Sequence, residues 1–269
     1  MSDDATKGPP GPQEFVHAIR DADAAVRSRR NQQACDIERI KTDSLTSLLD
    51  RCRALAAEAR AETAEPIRTI HHLACTGGTL ITKCIASMPN VQLLGETNPF
   101  SRQLPGSGKN FHPTDPIRLA RGSTRGVSED TIADMFAASI EVLWRDCTRK
   151  GAHLVLRDHA HSSFCFGERD PAARTLRDAF SDKHRLRSIV TVRHPMDSYL
   201  SLHHNGWCHF SPVTLDEYAQ RYMDFLGRHA DCPVFYYEHF VDDPDSALGE
   251  MASALDLRFT SGYQDVFTA

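Results

Sequence analysis

Residues 67–88 contain an apolar stretch, a turn with two adjacent glycines and an amphipathic helix, and this unit constrains the fold more than any other part of the chain. The apolar residues of Ile67–Leu73 predict a strand, and those of Leu80–Met88 recur at helical spacing. Between them, the two glycines of Cys75–Thr79 permit a positive φ and a close approach of a ligand to the backbone. A helix that starts at such a turn presents free N–H groups to an anion. The unit therefore predicts either an anion site or an ordinary βα turn in which glycine serves close packing.

The composition limits the class of protein and its partners. With 269 residues, 41% of them hydrophobic and 25% charged, the chain has the length and composition of one globular α/β domain with an appendage. The net charge of −5 gives no general basis for binding nucleic acid, so we expect no such partner. No apolar run approaches the length of a transmembrane helix, and we expect no membrane partner. The eight cysteines are scattered without a CxxC pair, which predicts reduced thiols and a cytoplasmic location.

Strands and helices are predicted to alternate after Pro66. Further strands are predicted at Val91–Leu94, Leu154–Leu156, Ser188–Val192 and Val234–Tyr237, and helices at Ser128–Lys150, Pro171–Phe180, Leu215–His229 and from Pro244 onward. This alternation predicts an α/β fold with a mostly parallel sheet flanked by helices, in which ligands bind at the carboxyl ends of the strands. Residues 101–128 are rich in Gly, Pro, Ser, Asn and Arg, so we expect a lid, a substrate loop or a disordered segment there.

The chain is predicted to divide into two parts, 1–65 and 66–269. Residues 1–12 contain Gly-Pro-Pro-Gly-Pro and are predicted to be a disordered leader, and a helical extension follows them. One face of this extension is apolar, with members at Leu45, Leu48, Cys52, Leu55 and Ala59. This face packs either on its own domain or against a second subunit, which would give a homodimer. The second part holds the predicted α/β domain.

A second candidate anion site follows the strand predicted at Ser188–Val192. Arg193 comes directly after this strand, where its planar guanidinium can donate two hydrogen bonds to phosphate oxygens. Ser201 lies eight residues further on, in the helix that Pro195 is predicted to open. The alternative is that Arg193 pairs with Asp197 and that Ser201 is an ordinary surface residue.

These motifs resemble those of the sulfotransferase family. The segment Arg193–Ser201, RHPMDSYLS, resembles the family's R-x-P-x-D-x-x-x-S signature for a 3′-phosphate, and the turn Cys75–Thr79 resembles its 5′-phosphosulfate loop. The segment YYEHFVDDPDSALGEMASALDL resembles the family's strand and helix before its C-terminal segment. The likeness extends over roughly residues 67–256.

The resemblance implies a P-loop-type α/β fold and a sulfotransferase activity. The donor would be 3′-phosphoadenosine-5′-phosphosulfate (PAPS), and its sulfuryl group would pass to a hydroxyl or an amine. The Gly-Gly-Thr of the turn is like that of glycan-sulfating branches, and we expect a glycan or a small molecule as acceptor. The residues that the resemblance implies for PAPS binding are Cys75, Thr76, Gly77, Gly78, Thr79, Leu80, Arg193 and Ser201.

The sequence departs from the family's pattern in the charge of the first loop. Many members carry Lys or Arg there to neutralise the bridging oxygen of the donor, whereas this chain carries Cys75 and Thr76. The cytosolic branch also has a Gly-rich basic loop for the 3′-phosphate, which this sequence lacks. We expect another cation to substitute, or the activity to be weak or lost. The candidate cations are Arg157, Lys83 and Lys109, of which Arg157 is best placed because it ends a predicted strand.

Two residues are candidates for the base that deprotonates the acceptor. The segment Arg157-Asp158-His159 resembles, in position and in its basic-x-His pattern, the Lys-Ser/Thr-His arrangement of cytosolic members. Other branches use a glutamate in the loop after the second strand, where Glu96 lies. We favour His159 over Glu96; the alternative for this histidine is a hydrogen-bonded residue at a strand end.

The remaining histidines do not show the spacing of a metal site. His203, His204 and His209 with Cys208, or His159 with His161, lack the pattern of a dedicated site, and we expect no metal. These side chains are predicted to line an acceptor pocket or a surface. Two other functions stay open: a non-catalytic protein that binds nucleotide or glycan, and a nucleotide-dependent kinase on a P-loop fold. The absence of the G-x-x-x-x-G-K-[ST] pattern disfavours the kinase.

Overall fold

The computed structural model describes residues 50, 52, 65–101, 115–180 and 184–267. The chain divides into two units, Met1–Glu62 and Thr63–Ala269, and the sheet lies in the second. The predicted leader lies outside the described residues, and so does the apolar face of the helical extension apart from Cys52. The boundary at residue 65 and the homodimer therefore stay predictions.

Five strands form one sheet in which every neighbouring pair is parallel. In chain order they are β1 (Ile67–His71), β2 (Val91–Thr97), β3 (His153–Asp158), β4 (Leu186–Val192) and β5 (Val234–Tyr236). Their order across the sheet is β2-β3-β1-β4-β5, so the first strand is central. The chain builds one side of β1 before it crosses to the other side, and such a reversal places a crevice at the carboxyl ends of the central strands. The predicted mostly parallel sheet is confirmed.

Eight α-helices and two 3₁₀ helices are found in the described residues. The α-helices are α1 (Gly78–Ala86), α2 (Pro116–Arg121), α3 (Glu129–Arg149), α4 (His161–Phe164), α5 (Pro195–His204), α6 (Leu215–Arg228), α7 (Tyr237–Asp242) and α8 (Pro244–Ala254), and the 3₁₀ helices span Leu176–Ala179 and Ser261–Phe267. The side chain of Ser128 accepts a hydrogen bond from the Thr131 N–H and caps α3, as the sequence predicts. Pro195 occupies the first turn of α5, also as predicted. None of the helices described is both long and apolar enough to cross a membrane.

The helix predicted at Pro171–Phe180 is wrong. The Asp170 carboxylate accepts a hydrogen bond from the Ala172 N–H, which closes a short turn and does not start a helix. The chain then adopts a 3₁₀ helix only at Leu176–Ala179. A capping box formed by Thr175 and Asp178 fixes its start, because each side chain bonds to the backbone of the other residue.

The segment predicted as a loop at 101–128 contains a helix. Within its described residues, α2 begins after Asp115, whose carboxylate accepts from the N–H groups of Ile117 and Arg118. Pro116 suits the first helical position because its missing N–H would have no partner there. Residues 102–114 lie outside the described part, so the predicted lid stays a prediction.

Helices cover both faces of the sheet. On one face, Ile70 and Val155 pack against α1 and α8 together with Ile189. On the other face, Val190 packs with the aromatic residues of α6, and Leu156 packs with α3. All five side chains are inaccessible to solvent. This two-sided burial is why the strands read as nearly continuous apolar runs in the sequence.

Candidate active site

A cavity of about 560 Å³ lies at the carboxyl edge of the sheet. Its walls come from the turn after β1, from the ends of β2 and β3, and from the segment after α5. Eight of the predicted site residues line it, namely Cys75, Gly77, Gly78, Thr79, Leu80, Glu96, Arg157 and His159. The remaining three, Thr76, Arg193 and Ser201, do not line this cavity.

The glycine turn is held in place by two aromatic rings. Gly77 has a φ of 79° and forms the N-cap of α1, and a Cβ there would overlap the ring of Tyr237. A Cβ on Gly78 would overlap the ring of His72. Both positions therefore require glycine, the first also for its backbone conformation. Within the described part of the chain, the N–H groups of Gly77, Gly78 and Thr79 donate to no protein acceptor, which leaves them available to an anion.

Arg157 brings a positive charge to the end of this turn. Its Nη2 donates to Thr79 Oγ1 at 2.9 Å, its Nε donates to His72 Nε2 at 2.7 Å, and Nη2 lies 3.4 Å from Glu96 Oε1. The side chain is 12% exposed. Burial lowers the pKa of the guanidinium and the charge of Glu96 raises it, but an arginine remains protonated at neutral pH. The turn thus has a cation next to it although it contains none.

His72 fixes the orientation of Arg157. Its Nδ1 lies 2.9 Å from the Leu73 carbonyl oxygen and must donate to it, so Nε2 presents a lone pair to the Arg157 Nε–H. Burial, with a contribution from the charge of Arg157, lowers the pKa of His72 to about 4. The ring is therefore neutral at neutral pH and accepts from the arginine without repelling it. This role could not be predicted from the sequence, in which His72 only interrupts an apolar run.

Of the other two candidate cations, Lys83 is the one that lies in the described residues. Lys83 is exposed in the last turn of α1 and does not line the cavity. Lys109 lies outside the described residues. Thr76, predicted to bind the donor, is buried and donates its hydroxyl to the Leu73 carbonyl oxygen at 2.8 Å. Its side chain therefore stabilises the turn from behind.

Arg193 approaches the opposite end of the turn. Its Nη1 lies 3.4 Å from the Cys75 carbonyl oxygen, and its guanidinium lies over the Tyr237 ring, 5.3 Å from the ring centre. The Tyr222 hydroxyl accepts from the Arg193 N–H and donates to the Arg193 carbonyl oxygen, which holds the backbone at this point. Within the described part of the chain, Arg193 forms no ion pair with Asp197, so the alternative pairing is wrong.

Ser201 lies in α5 and is connected to the glycine turn through the side chain of Asn205. Its carbonyl oxygen accepts from Asn205 Nδ2 at 2.8 Å, and the same nitrogen lies 4.0 Å from Cys75 Sγ. Ser201 is half-buried. The start of the R-x-P-x-D-x-x-x-S segment and its end are thus both near Cys75.

Both candidate bases line the cavity, in different surroundings. His159 directly follows β3, is half-buried and donates its N–H to the Thr97 carbonyl oxygen at 3.3 Å. Glu96 has a φ of 56° at an irregularity in the pairing of β2 with β3. Its side chain is 57% exposed and faces Arg157. The Glu96 carboxylate is therefore partly engaged by a cation, whereas His159 lines the cavity and forms no ion pair with the described residues.

The other residues that line the cavity are His72, Ala74, Asp158, His161, Trp207 and His209. Of these, His161 and His209 are among the histidines predicted to line an acceptor pocket or a surface. His161 is 5% exposed, and within the described residues no hydrogen bond of good geometry reaches either ring nitrogen. Burial, with a contribution from His159, lowers the pKa of His161 to about 4. His203 and His204 are exposed instead, so the histidines divide between the cavity and the surface.

No protein-family model and no curated protein sequence matches this chain. Among solved structures, the chain is similar to the sulfotransferase domain of the curacin biosynthetic pathway, with 12% identity and a TM-score of 0.46 over 74% of this chain and 76% of that chain. It is similar to the sulfotransferase domain of the Synechococcus PCC 7002 olefin synthase, with 18% identity, a TM-score of 0.46 and the same coverage, 74% and 76%. A mouse sulfotransferase complexed with PAP is 11% identical, with a TM-score of 0.39 over 75% of this chain and 62% of that chain. These similar structures are all sulfotransferases, and at such identities the likeness concerns the fold alone.

Proposed function

We propose that this protein is a sulfotransferase that moves the sulfuryl group of PAPS to a hydroxyl or amine of a glycan or small molecule. The observation that carries the proposal is a glycine turn with available N–H groups and an arginine at each end, Arg157 at Thr79 and Arg193 at Cys75. PAPS has two anionic groups, a 5′-phosphosulfate and a 3′-phosphate. Two separate cations beside one helix N-terminus match a ligand of that charge pattern.

The residues of the turn would hold the phosphosulfate end of the donor. The N–H groups of Gly77, Gly78 and Thr79 supply donors, and Arg157 supplies the charge that the loop itself lacks. Two hydrogen bonds, to His72 and to Thr79, hold the guanidinium of Arg157 at the end of the turn. Arg193 and Ser201 would hold the 3′-phosphate, as the RHPMDSYLS segment implies.

The transfer requires stabilisation of the negative charge on the departing phosphate and removal of a proton from the acceptor. As the sulfur–oxygen bond to the phosphate breaks, the turn N–H groups and Arg157 stabilise the negative charge that develops on the bridging oxygen. As the acceptor oxygen or nitrogen bonds to sulfur, its proton must pass to a base within hydrogen-bond reach. His159 takes this role in the proposal because it lines the cavity and has no ion pair within the described residues, whereas Glu96 is partly engaged by Arg157. Glu96 is the alternative base.

Thermal shift with two nucleotides tests the proposal without knowledge of the acceptor. We expect 3′,5′-diphosphoadenosine (PAP), the donor without its sulfuryl group, to raise the melting temperature, and ATP with magnesium to leave it unchanged. Stabilisation by ATP and magnesium alone would favour the kinase alternative. Stabilisation by neither nucleotide would contradict the proposal and leave the non-catalytic binding protein as the better account.

A further inference from the structure

Three buried side chains meet at the inner end of the cavity, which one of them, Asp158, also lines. His71 ends β1, Asp158 ends β3, and His229 follows α6 as its C-cap. Each is at most 1% exposed. His71 Nδ1 lies 2.7 Å from Asp158 Oδ2, and one ligand-capable atom from each of the three residues lies within 4.8 Å of the other two. Two imidazoles and a carboxylate, each from a different element of the fold, thus lie around one shared point at which a single ion could bind.

The outer hydrogen bonds of the two histidines determine which ring nitrogens face this point. His229 Nδ1 donates to the Phe225 carbonyl oxygen at 2.8 Å, so Nε2 carries the lone pair, and in the described residues this buried Nε2 has no hydrogen-bond partner. The Thr69 hydroxyl donates to Ser188 and accepts from His71 Nε2 at 2.9 Å, which leaves the lone pair of His71 on Nδ1. Both lone pairs therefore face the shared point.

The carboxylate is oriented in the same way. Asp158 Oδ1 accepts from Asn98 Nδ2 at 3.1 Å, and Oδ2 faces His71. Ligands that each make a hydrogen bond on their outer side are typical of metal sites, because the outer partner fixes the tautomer and the direction of the ligand.

We propose that His71, Asp158 and His229 bind one divalent first-row transition ion, and that Zn²⁺ is the ion this ligand set suits best. Imidazole nitrogen and carboxylate oxygen are ordinary zinc ligands with bonds of about 2.0–2.2 Å. Two such bonds span at most about 4.4 Å, so ligands that lie within 4.8 Å of one another need only small side-chain shifts. The proton held between His71 Nδ1 and Asp158 Oδ2 leaves to solvent when the ion binds.

The proposed ion goes beyond the sulfuryl transfer and does not depend on it. It would join β1, β3 and the end of α6 directly beneath Arg157 and His159, the two neighbours of Asp158. Its role is to fix the ends of these elements. The sequence predicted no metal because the three ligands lie far apart in the chain and show no local spacing.

Metal binding by the full-length protein tests the proposal. The purified protein is treated with EDTA, dialysed, titrated with Zn²⁺ or Co²⁺, passed over a desalting column and measured by elemental analysis and melting temperature. We expect about one equivalent of zinc, a higher melting temperature, and a Co²⁺ absorption spectrum without a thiolate band. His229→Gln and Asp158→Asn should each lower the affinity by about tenfold or more. The control His161→Gln removes another buried histidine, which lies outside the proposed ligand set, and should bind zinc like the wild type.

Three outcomes would overturn the proposal. One is a folded wild-type protein that retains no zinc after reconstitution, and another is a folded His229→Gln or Asp158→Asn variant that binds zinc like the wild type. If neither variant folds, anomalous diffraction at the zinc edge from wild-type crystals locates the ion directly. Density between His71, Asp158 and His229 supports the proposal, and density only elsewhere contradicts it.

Discussion

The contact between Arg157 and His72 determines the electrostatics of the proposed donor site. His72 accepts from Arg157 Nε while Thr79 accepts from Nη2, so the guanidinium is held by two acceptors at a fixed angle. A lysine could not reproduce this arrangement, because its ammonium group is a point charge on a flexible stem. The cation that the loop lacks is thus supplied by a residue about 80 positions away in the chain, at the end of β3.

At this scale we expect His159→Ala to lower the rate of sulfuryl transfer by about 10²–10⁴-fold, because the variant lacks the general base. The affinity for PAP should change little, since His159 is not among the residues proposed to bind the nucleotide. The measurement is transfer of labelled sulfate from PAPS, with PAP binding determined separately. Glu96→Gln is the matched variant. Full activity in His159→Ala together with loss in Glu96→Gln would move the base to Glu96, and full activity in both would contradict this account of the site.

The site residues that belong to a local sequence motif could be predicted. Those that acquire their role only through contacts with distant parts of the chain could not. Gly77, Arg157 and His159 follow strand ends, and parallel strands bring their carboxyl ends to one edge, so their convergence could be predicted. His72 acquires its role from a contact with β3, and His229 from the packing of α6 on the sheet. Neither contact leaves a pattern in the neighbouring sequence.

At the scale of elements, the central strand β1 depends on a buried arginine. Arg68 Nε donates to the Leu255 carbonyl oxygen at 2.6 Å, Nη2 donates to the Asp256 carbonyl oxygen at 3.0 Å, and Nη1 pairs with Glu65 at 2.5 Å. These contacts join the middle of the sheet to the C-terminal end of α8. A fully buried charge is tolerated here because every side of the guanidinium has an acceptor.

We expect Arg68→Ala to lower the free energy of unfolding by about 3 kcal/mol, because it removes a fully buried guanidinium and its hydrogen bonds to two backbone carbonyl oxygens and to the Glu65 carboxylate. Denaturant unfolding measures this change. The control is Arg145→Ala, which removes an exposed pair with Glu141 and should change the stability by less than about 0.5 kcal/mol. Equal losses in the two variants would show that the buried contacts of Arg68 contribute nothing.

Strands and helices were predicted correctly where the apolar periodicity of the sequence is strong. The predictions failed where side-chain caps determine where a helix begins. The strands and the long helices α3 and α6 match their predicted ranges to within a few residues. The strand predicted at Val234–Tyr237 is one residue too long, because Tyr237 instead begins α7 and its ring packs on Gly77. Side-chain caps, such as those at Asp115 and Thr175, set the remaining differences.

At the scale of the whole molecule, the strand order separates the two proposed anion contacts. Arg157 lies near the end of β3, on one side of β1, and Arg193 directly follows β4, on the other side. The glycine turn leaves β1 between them. This is the arrangement that the proposed donor requires, with a separate cation for each end of a nucleotide that carries two anionic groups.

We expect residues 63–269 to fold without the preceding part of the chain, because every strand and the glycine turn lie within them. If the apolar face around Leu45–Ala59 makes the predicted homodimer, the full-length protein should have the mass of a dimer and the shortened one that of a monomer. Light scattering coupled to size-exclusion chromatography measures both. A shortened protein that is entirely insoluble would indicate that this face packs on its own domain, and a monomeric full-length protein would contradict the dimer.

The most direct test of the account compares the affinities of PAP and 5′-AMP, measured by calorimetry, in the wild type and in Arg193→Ala. The nucleotides differ in the 3′-phosphate, and a charge-assisted contact to it is worth about 1.5–3 kcal/mol. We predict that Arg193→Ala weakens PAP binding by about tenfold or more, leaves 5′-AMP binding unchanged, and that Arg149→Ala, an exposed control, alters neither. An equal loss for both nucleotides, or a wild type that does not prefer PAP, would contradict the proposed PAPS site.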